Sequence, residues 1–231
     1  MTATLGRLEA TLRTARDGGR KLLVPYVTGG VADDWTAVLA AMAAAGADAV
    51  EVGIPFSDPV MDGPTIQEAS ARALQRGVTP DDIIGELAHV DVGVPLIAMT
   101  YYNLVFRAGH VRFASRLVEG RMSGAIIPDL PLEESAEWES DAAAAGIETV
   151  LLAAPVTPED RLARIAERSR GFVYAVGLMG VTGERSSLAS SASVLAKRLK
   201  AVTDMPVLIG FGISTPEQAR EACREADGVV V

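Results

Sequence analysis

The stretch VEVGIPFSDPVMDGPTIQEASARAL, residues 50–74, decides how this chain is read. It continues an apolar strand, residues 48–54, that is interrupted by one carboxylate, Glu51. A turn-rich segment follows, with its backbone fixed by Pro55, Pro59, Gly63 and Pro64. That segment carries two more carboxylates, Asp58 and Asp62, and a helix then starts near Thr65. One acid inside a strand and two in the loop after it suit an α/β enzyme, in which catalytic groups gather at the carboxyl ends of strands.

Outward from this stretch the chain alternates. Residues 4–17 place Leu5, Leu8 and Leu12 at helical spacing, which predicts an extra helix before the first strand. Apolar strands are expected at 22–28, 48–54, 95–101, 124–129, 148–153, 172–176, 206–210 and 228–231. Between them lie helices at about 33–45, 65–75, 80–90, 111–118, 133–145, 157 onward, 187–202 and 216–226. Eight strand–helix units predict a (β/α)8 TIM barrel built as a single domain over 1–231. The alternative is a doubly wound open sheet, which seldom needs eight strands. Nor does a G-x-G-x-x-G follow the first strand here. The chain stops on the eighth strand, so the final helix is missing from it, and the expectation is that the protein extends further.

Composition narrows the function. Apolar residues make up 49% and charged residues 22%, enough to bury a large core. The net charge of −9, without a dense Lys/Arg cluster, argues against nucleic acid, and no run approaches a membrane span. Cys223 is the only cysteine, which excludes a disulfide framework and a Cys-rich zinc site. His89 and His110 have no second ligand at metal spacing, so no metal is expected. The localisation expected is cytoplasmic.

Glu51 is the sharpest candidate, because a buried carboxyl has a raised pKa suited to proton transfer. A structural carboxylate paired inside the barrel is the other reading. Asp58 and Asp62 are read equally well as catalysts or as turn residues. Thr28, Tyr101, Asn103, Asp129 and Tyr174 stand at strand ends, where they can meet a substrate or simply cap the core. Gly180-Val181-Thr182-Gly183 and Gly210-Phe211-Gly212-Ile213-Ser214 follow the sixth and seventh strands, where barrels bind phosphate through backbone amides.

The run EVGIPFSDPVMDGPTIQ resembles the signature of the tryptophan synthase alpha subunit family. VPYVTGG, MTYYNLVF, PDLPLEES, GFVYAVGLMGVTG and GFGIS agree in order and spacing, over residues from about 5 to 231. The resemblance implies a retro-aldol lyase that cleaves indole-3-glycerol phosphate to indole and glyceraldehyde 3-phosphate in tryptophan biosynthesis. It implies Glu51 as the acid/base and Asp62 as the partner of the indole N–H. Tyr174, Tyr101 and Leu23 would line the pocket, with Gly183, Phe211 and Gly212 at the phosphate and Thr182 in a closing loop. No cofactor is implied on this chain. The implied partner is a beta subunit in an alpha2beta2 tetramer, with Asp58 and Asn103 toward it. A free-standing lyase and a non-catalytic activator of a beta subunit are the alternatives. Three departures stand out. Leu23 replaces a frequent aromatic, Gly177 replaces a frequent serine, and the Gly-Ser step that follows the eighth strand in the family is beyond Val231.

Overall fold

The computed structural model describes residues 5–177, 185–210 and 212–231. In chain order its elements begin α1 (Arg7–Asp17), β1 (Leu22–Val24), β2 (Tyr26–Thr28), α2 (Trp35–Ala44), β3 (Val50–Gly53), α3 (Pro64–Gln75), α4 (Pro80–Leu87) and β4 (Leu96–Met99). They continue with α5 (Tyr102–Ala108), α6 (His110–Glu119), β5 (Met122–Ile126), α7 (Ala136–Ala145), β6 (Glu148–Ala153) and α8 (Glu159–Arg168). The last are β7 (Val173–Val176), α9 (Arg185–Lys200), β8 (Val207–Gly210), α10 (Pro216–Ala222) and β9 (Gly228–Val230). The β/α alternation expected from the sequence is therefore present. The chain divides into two compact units, Pro25–Thr149 and a second made of the chain up to Val24 with Val150–Val231.

In the Pro25–Thr149 unit, β2, β3, β4 and β5 pair in that order, all parallel. The register runs Tyr26, Glu51, Ile97, Gly124 across the four strands. Side chains alternate along a strand, so Val50, Val52, Leu96, Ala98 and Ala125 share one face. They pack with Trp35 and Leu39 of α2, Ile83, Ile84 and Leu87 of α4, Phe113 and Leu117 of α6, and Trp138 of α7. The opposite face carries Tyr26, Thr28, Glu51, Gly53, Ile97 and Met99. Ile97 and Met99 are buried as well, so this sheet is covered on both sides, as parallel sheets are.

In the other unit β1, β9, β8, β7 and β6 form a second parallel sheet, with Leu22 and Leu208 both opposite Gly228. The additional helix before β1 is present; Leu8 and Leu12 are buried in it, while Leu5 precedes it and is exposed.

Local chemistry sets several boundaries. Thr79 and Asp82 form a reciprocal capping box that starts α4, with Pro80 in its first turn. Thr215 and Gln218 do the same for α10. The single strand expected at 22–28 is broken at Pro25, which has no N–H to donate, so β1 pairs with β9 and β2 with β3. The strand expected at 124–129 lies two or three residues earlier, because Gly124 sits inside the ladder opposite Ile97 instead of opening it. Helix α5 is not marked by any local cap in the sequence. Its first N–H, on Tyr102, donates to Asp129 Oδ1 at 2.8 Å, so the cap comes from the segment that follows β5.

Replacing Thr79 with Ala removes the side-chain acceptor of the Asp82 N–H and leaves only the backbone half of the capping box, on a helix that supplies three core residues. We expect a loss of about 1 kcal/mol, read as a lower urea midpoint at unchanged slope. An unchanged midpoint would mean the cap contributes nothing to the fold.

Candidate active site

Glu51 sits in the middle of β3, on the face opposite the helix-covered core, and is 1% exposed. Its Oε2 has no hydrogen-bond partner among the described residues. A carboxylate buried without a donor is costly, so the neutral acid is favoured. Burial, and then the nearby charge of Asp62, push the Glu51 carboxyl from 4.5 up to about 8. It therefore carries a proton at neutral pH.

Asp62 reaches this acid from the loop after β3 and is 8% exposed. The loop holds it in several ways. The Asp62 N–H donates to the Pro59 carbonyl at 3.0 Å, and Gln67 Nε2 donates to the Asp62 carbonyl at 3.0 Å. The Met61 N–H donates to the Tyr101 hydroxyl at 2.9 Å. The Tyr101 ring in turn stacks on Phe56, with centroids 5.0 Å apart. Burial raises the Asp62 pKa, while the hydrogen bond from Tyr101 favours its ionised form and pulls it back. Tyr101 is thus an acceptor for the loop backbone and a donor to the Asp62 side chain. Two acids within electrostatic reach, one holding its proton and one favoured as a carboxylate by a phenol, make an acid/base and charge-stabilising pair.

The same sheet face contributes Tyr26 from β2, the register partner of Glu51. Its ring lies over Gly53, where a Cβ would overlap the Tyr26 hydroxyl. The Thr28 hydroxyl donates to the Tyr26 oxygen at 3.3 Å. Sequence reading singled out Thr28 but not Tyr26. The signal was there, since residues two apart share a strand face, but Pro25 hid where the strand begins.

Other candidates separate in space. Asp58 is exposed and accepts from the neighbouring Ser57 hydroxyl, and Asn103 is exposed on α5. Asp129 is the cap of α5, so the structure gives it a structural task. In the unit ending at Val231, Tyr174 is 5% exposed and its ring lies over Gly210, much as Tyr26 lies over Gly53. Leu23 is half-buried on β1, opposite Val229. Gly212 has a φ of +77°, a conformation that favours glycine in this turn. The N–H groups of Ser214 and Thr215 are already taken by Gln218 Oε1. Thr182, Gly183 and Phe211 lie outside the described residues. No group of three or more His, Cys, Asp or Glu among the described residues is placed to hold a metal.

With this geometry in hand, comparison with known proteins is decisive. The model of the tryptophan synthase alpha chain family matches residues 12–231. The chain belongs to that family. A tryptophan synthase alpha chain of Picosynechococcus sp. is 43% identical over 224 residues, covering 95% of this chain and 85% of that protein. One of Streptomyces coelicolor is 44% identical over 240 residues, covering 100% of this chain and 87% of its own. Among solved structures, tryptophan synthase from Mycobacterium tuberculosis superposes with a TM-score of 0.90 at 38% identity, over 99% of this chain and 89% of that one. The alpha chain from Legionella pneumophila gives 0.87 at 31% identity, over 99% and 85%. The fold class is thus the (β/α)8 barrel of the tryptophan synthase alpha chains, a family of lyases of tryptophan biosynthesis that work with a beta subunit.

The Glu51 assignment carries a sign. A folded-state pKa near 8, above the ordinary 4.5, means the folded chain holds this proton more tightly than the unfolded one. The associated stability is full below the unfolded value and is lost as pH rises through 8. Gln cannot ionise, so Glu51→Gln should gain stability relative to the parent between pH 5 and pH 9, by roughly 2–4 kcal/mol. Urea midpoints at the two pH values measure this. A constant difference between the two proteins would place the Glu51 pKa in the ordinary range.

Proposed function

We propose that this chain cleaves indole-3-glycerol phosphate to indole and glyceraldehyde 3-phosphate, with Glu51 moving the proton and Asp62 holding the indole N–H. The observation that carries this reading is the buried Glu51 carboxyl, unpartnered at Oε2, beside a second acid that a tyrosine favours in its charged form.

The protonated Glu51 gives its proton to indole C3. The ring then carries positive charge at nitrogen, which the Asp62 carboxylate stabilises through the N–H, and such placed charge is often the largest catalytic effect. The Glu51 carboxylate so formed takes the proton from the glycerol hydroxyl on the carbon attached to C3. The carbon–carbon bond breaks, its electrons return to the indole ring, and the hydroxyl carbon becomes the aldehyde. Glu51 ends protonated, as it began, and the step consumes no cofactor. Tyr101, Tyr174 and Leu23 line the indole site in this reading. Gly183, Phe211 and Gly212 meet the phosphate, and Thr182 closes over the substrate.

In this reading the two units are the halves of a single barrel domain. The exposed Asp58 loop and Asn103 on α5 face the beta subunit of an alpha2beta2 tetramer in the cytoplasm. The exposed apolar side chains Val60, Met61 and Phe106 next to those residues support a partner at that surface.

Indole release tests the chemistry. Glu51→Gln keeps shape and hydrogen-bonding capacity but cannot transfer the proton, so turnover should fall at least about a hundredfold in a folded protein. Asp62→Asn should lose on the order of a hundredfold in kcat. Near-normal rates in folded Glu51→Gln would overturn the assignment. Loss of activity in Asp62→Asn through unfolding alone would make Asp62 a turn residue.

A further inference from the structure

Two polar groups share one face of the β2–β3 pair. One is Glu51 Oε2, buried and without a partner among the described residues. The other is the Tyr26 hydroxyl. The Tyr26 hydroxyl pairs with the Thr28 hydroxyl at 3.3 Å and makes no hydrogen bond to Glu51 Oε2 in this structure. The two side chains are register partners on adjacent parallel strands and so project from the same face. Tyr26 is held by packing as well as by hydrogen bonding. Its ring occupies the space that a side chain at residue 53 would take, and glycine there makes the room. Burial first, and then the charges of Glu51, Asp62 and Tyr101, keep the Tyr26 phenol protonated throughout the working pH range. It is therefore a donor whenever Glu51 is an anion.

The second sheet makes the same arrangement with a different neighbour. Tyr174 on β7 lies over Gly210 at the end of β8, as Tyr26 on β2 lies over Gly53 at the end of β3. The register partner of Tyr174 is Leu208, and the residue two beyond Tyr174 is Val176. In the Tyr26 arrangement those two places hold Glu51 and Thr28.

We propose that Tyr26 is a positioning residue for Glu51: its O–H turns to Oε2 and holds the carboxylate in place once Glu51 has given up its proton. The proposal rests on Glu51 being the proton-transfer group. Other groups compete little for this role. Asp62, from the loop after β3, is an acid and repels the Glu51 anion. Tyr101, after β4, donates to Asp62, and β4 itself presents Ile97 beside Glu51. Tyr26 is the neutral hydroxyl on the strand beside Glu51. A hydrogen bond to the charged form lowers a carboxyl pKa, so removing the donor raises it.

The test is Tyr26→Phe, which keeps the ring over Gly53. The pH dependence of kcat/KM for indole release is measured on the protein with its beta subunit. We expect the midpoint assigned to Glu51 to move up by about one pH unit, kcat to fall about tenfold at pH 7.5, and KM to stay within about twofold. Should Tyr26→Phe fail to fold, Thr28→Val leaves Tyr26 intact but frees its oxygen, so the hydroxyl loses its fixed orientation. A smaller move of the midpoint in the same direction is then expected. An unmoved midpoint in the folded variant overturns the proposal, even if kcat falls. Glu51→Gln separates the two claims. If that variant turns over normally, the assignment of Glu51 fails. If it is inactive while Tyr26→Phe matches the parent, only the role of Tyr26 fails.

Discussion

A carboxyl group buried in the middle of a β-strand, with no donor at one oxygen among the described residues, is the constraint on which the functional reading depends. An ionised carboxylate there would cost several kcal/mol, so the protein keeps Glu51 neutral near pH 7. Stability alone would favour an apolar side chain at this position, as Ile97 is on the neighbouring strand. The acid is instead surrounded by groups that separate its proton affinity from that of Asp62. The Phe56–Tyr101 stack and the backbone bonds at Met61 and Asp62 fix the second acid in a loop that otherwise carries exposed residues. The loop is hydrogen-bonded and buried where Asp62 sits and exposed where Asp58 sits.

The parallel register makes this possible. Strands that pair in step place Tyr26, Glu51 and Ile97 in one row, with the helix-packed residues on the other face. Packing and chemistry thus divide along alternate residues of the same strand, and the helices α2, α4, α6 and α7 can be held by Val50 and Val52 without touching Glu51. Gly53 shows how the two requirements meet, since its missing side chain lets an aromatic ring lie close to the acid.

Much of this was legible in the sequence. Apolar runs gave eight strand positions because buried parallel strands are nearly continuous in hydrophobic residues, and Glu51 stood out because it breaks such a run. The helix expected from about residue 80 is present as α4, because the Thr79 cap that starts it is local chemistry. What could not be read came from contacts between distant segments. Asp129 was open to a substrate or a structural role at its strand end; it caps α5, 27 residues earlier, and α5 itself was missed because that cap is not local. Tyr26 was missed because Pro25 splits the first strand and so changes which residues share a face. The likeness to tryptophan synthase alpha chains rests on one long motif and several short ones, and the family match runs over residues 12–231. The assignments to Thr182, Gly183 and Phe211 fall outside the described residues.

The central claim is that Glu51 holds a proton at neutral pH. The most direct measurement is the pH titration of its side-chain carbon by NMR, with glutamate labelled at that carbon and Glu51→Gln used to assign the signal. The account predicts a midpoint near 8, well separated from the other glutamates. A midpoint close to 4.5 would contradict it, because an acid already ionised at neutral pH has no proton to give to the substrate.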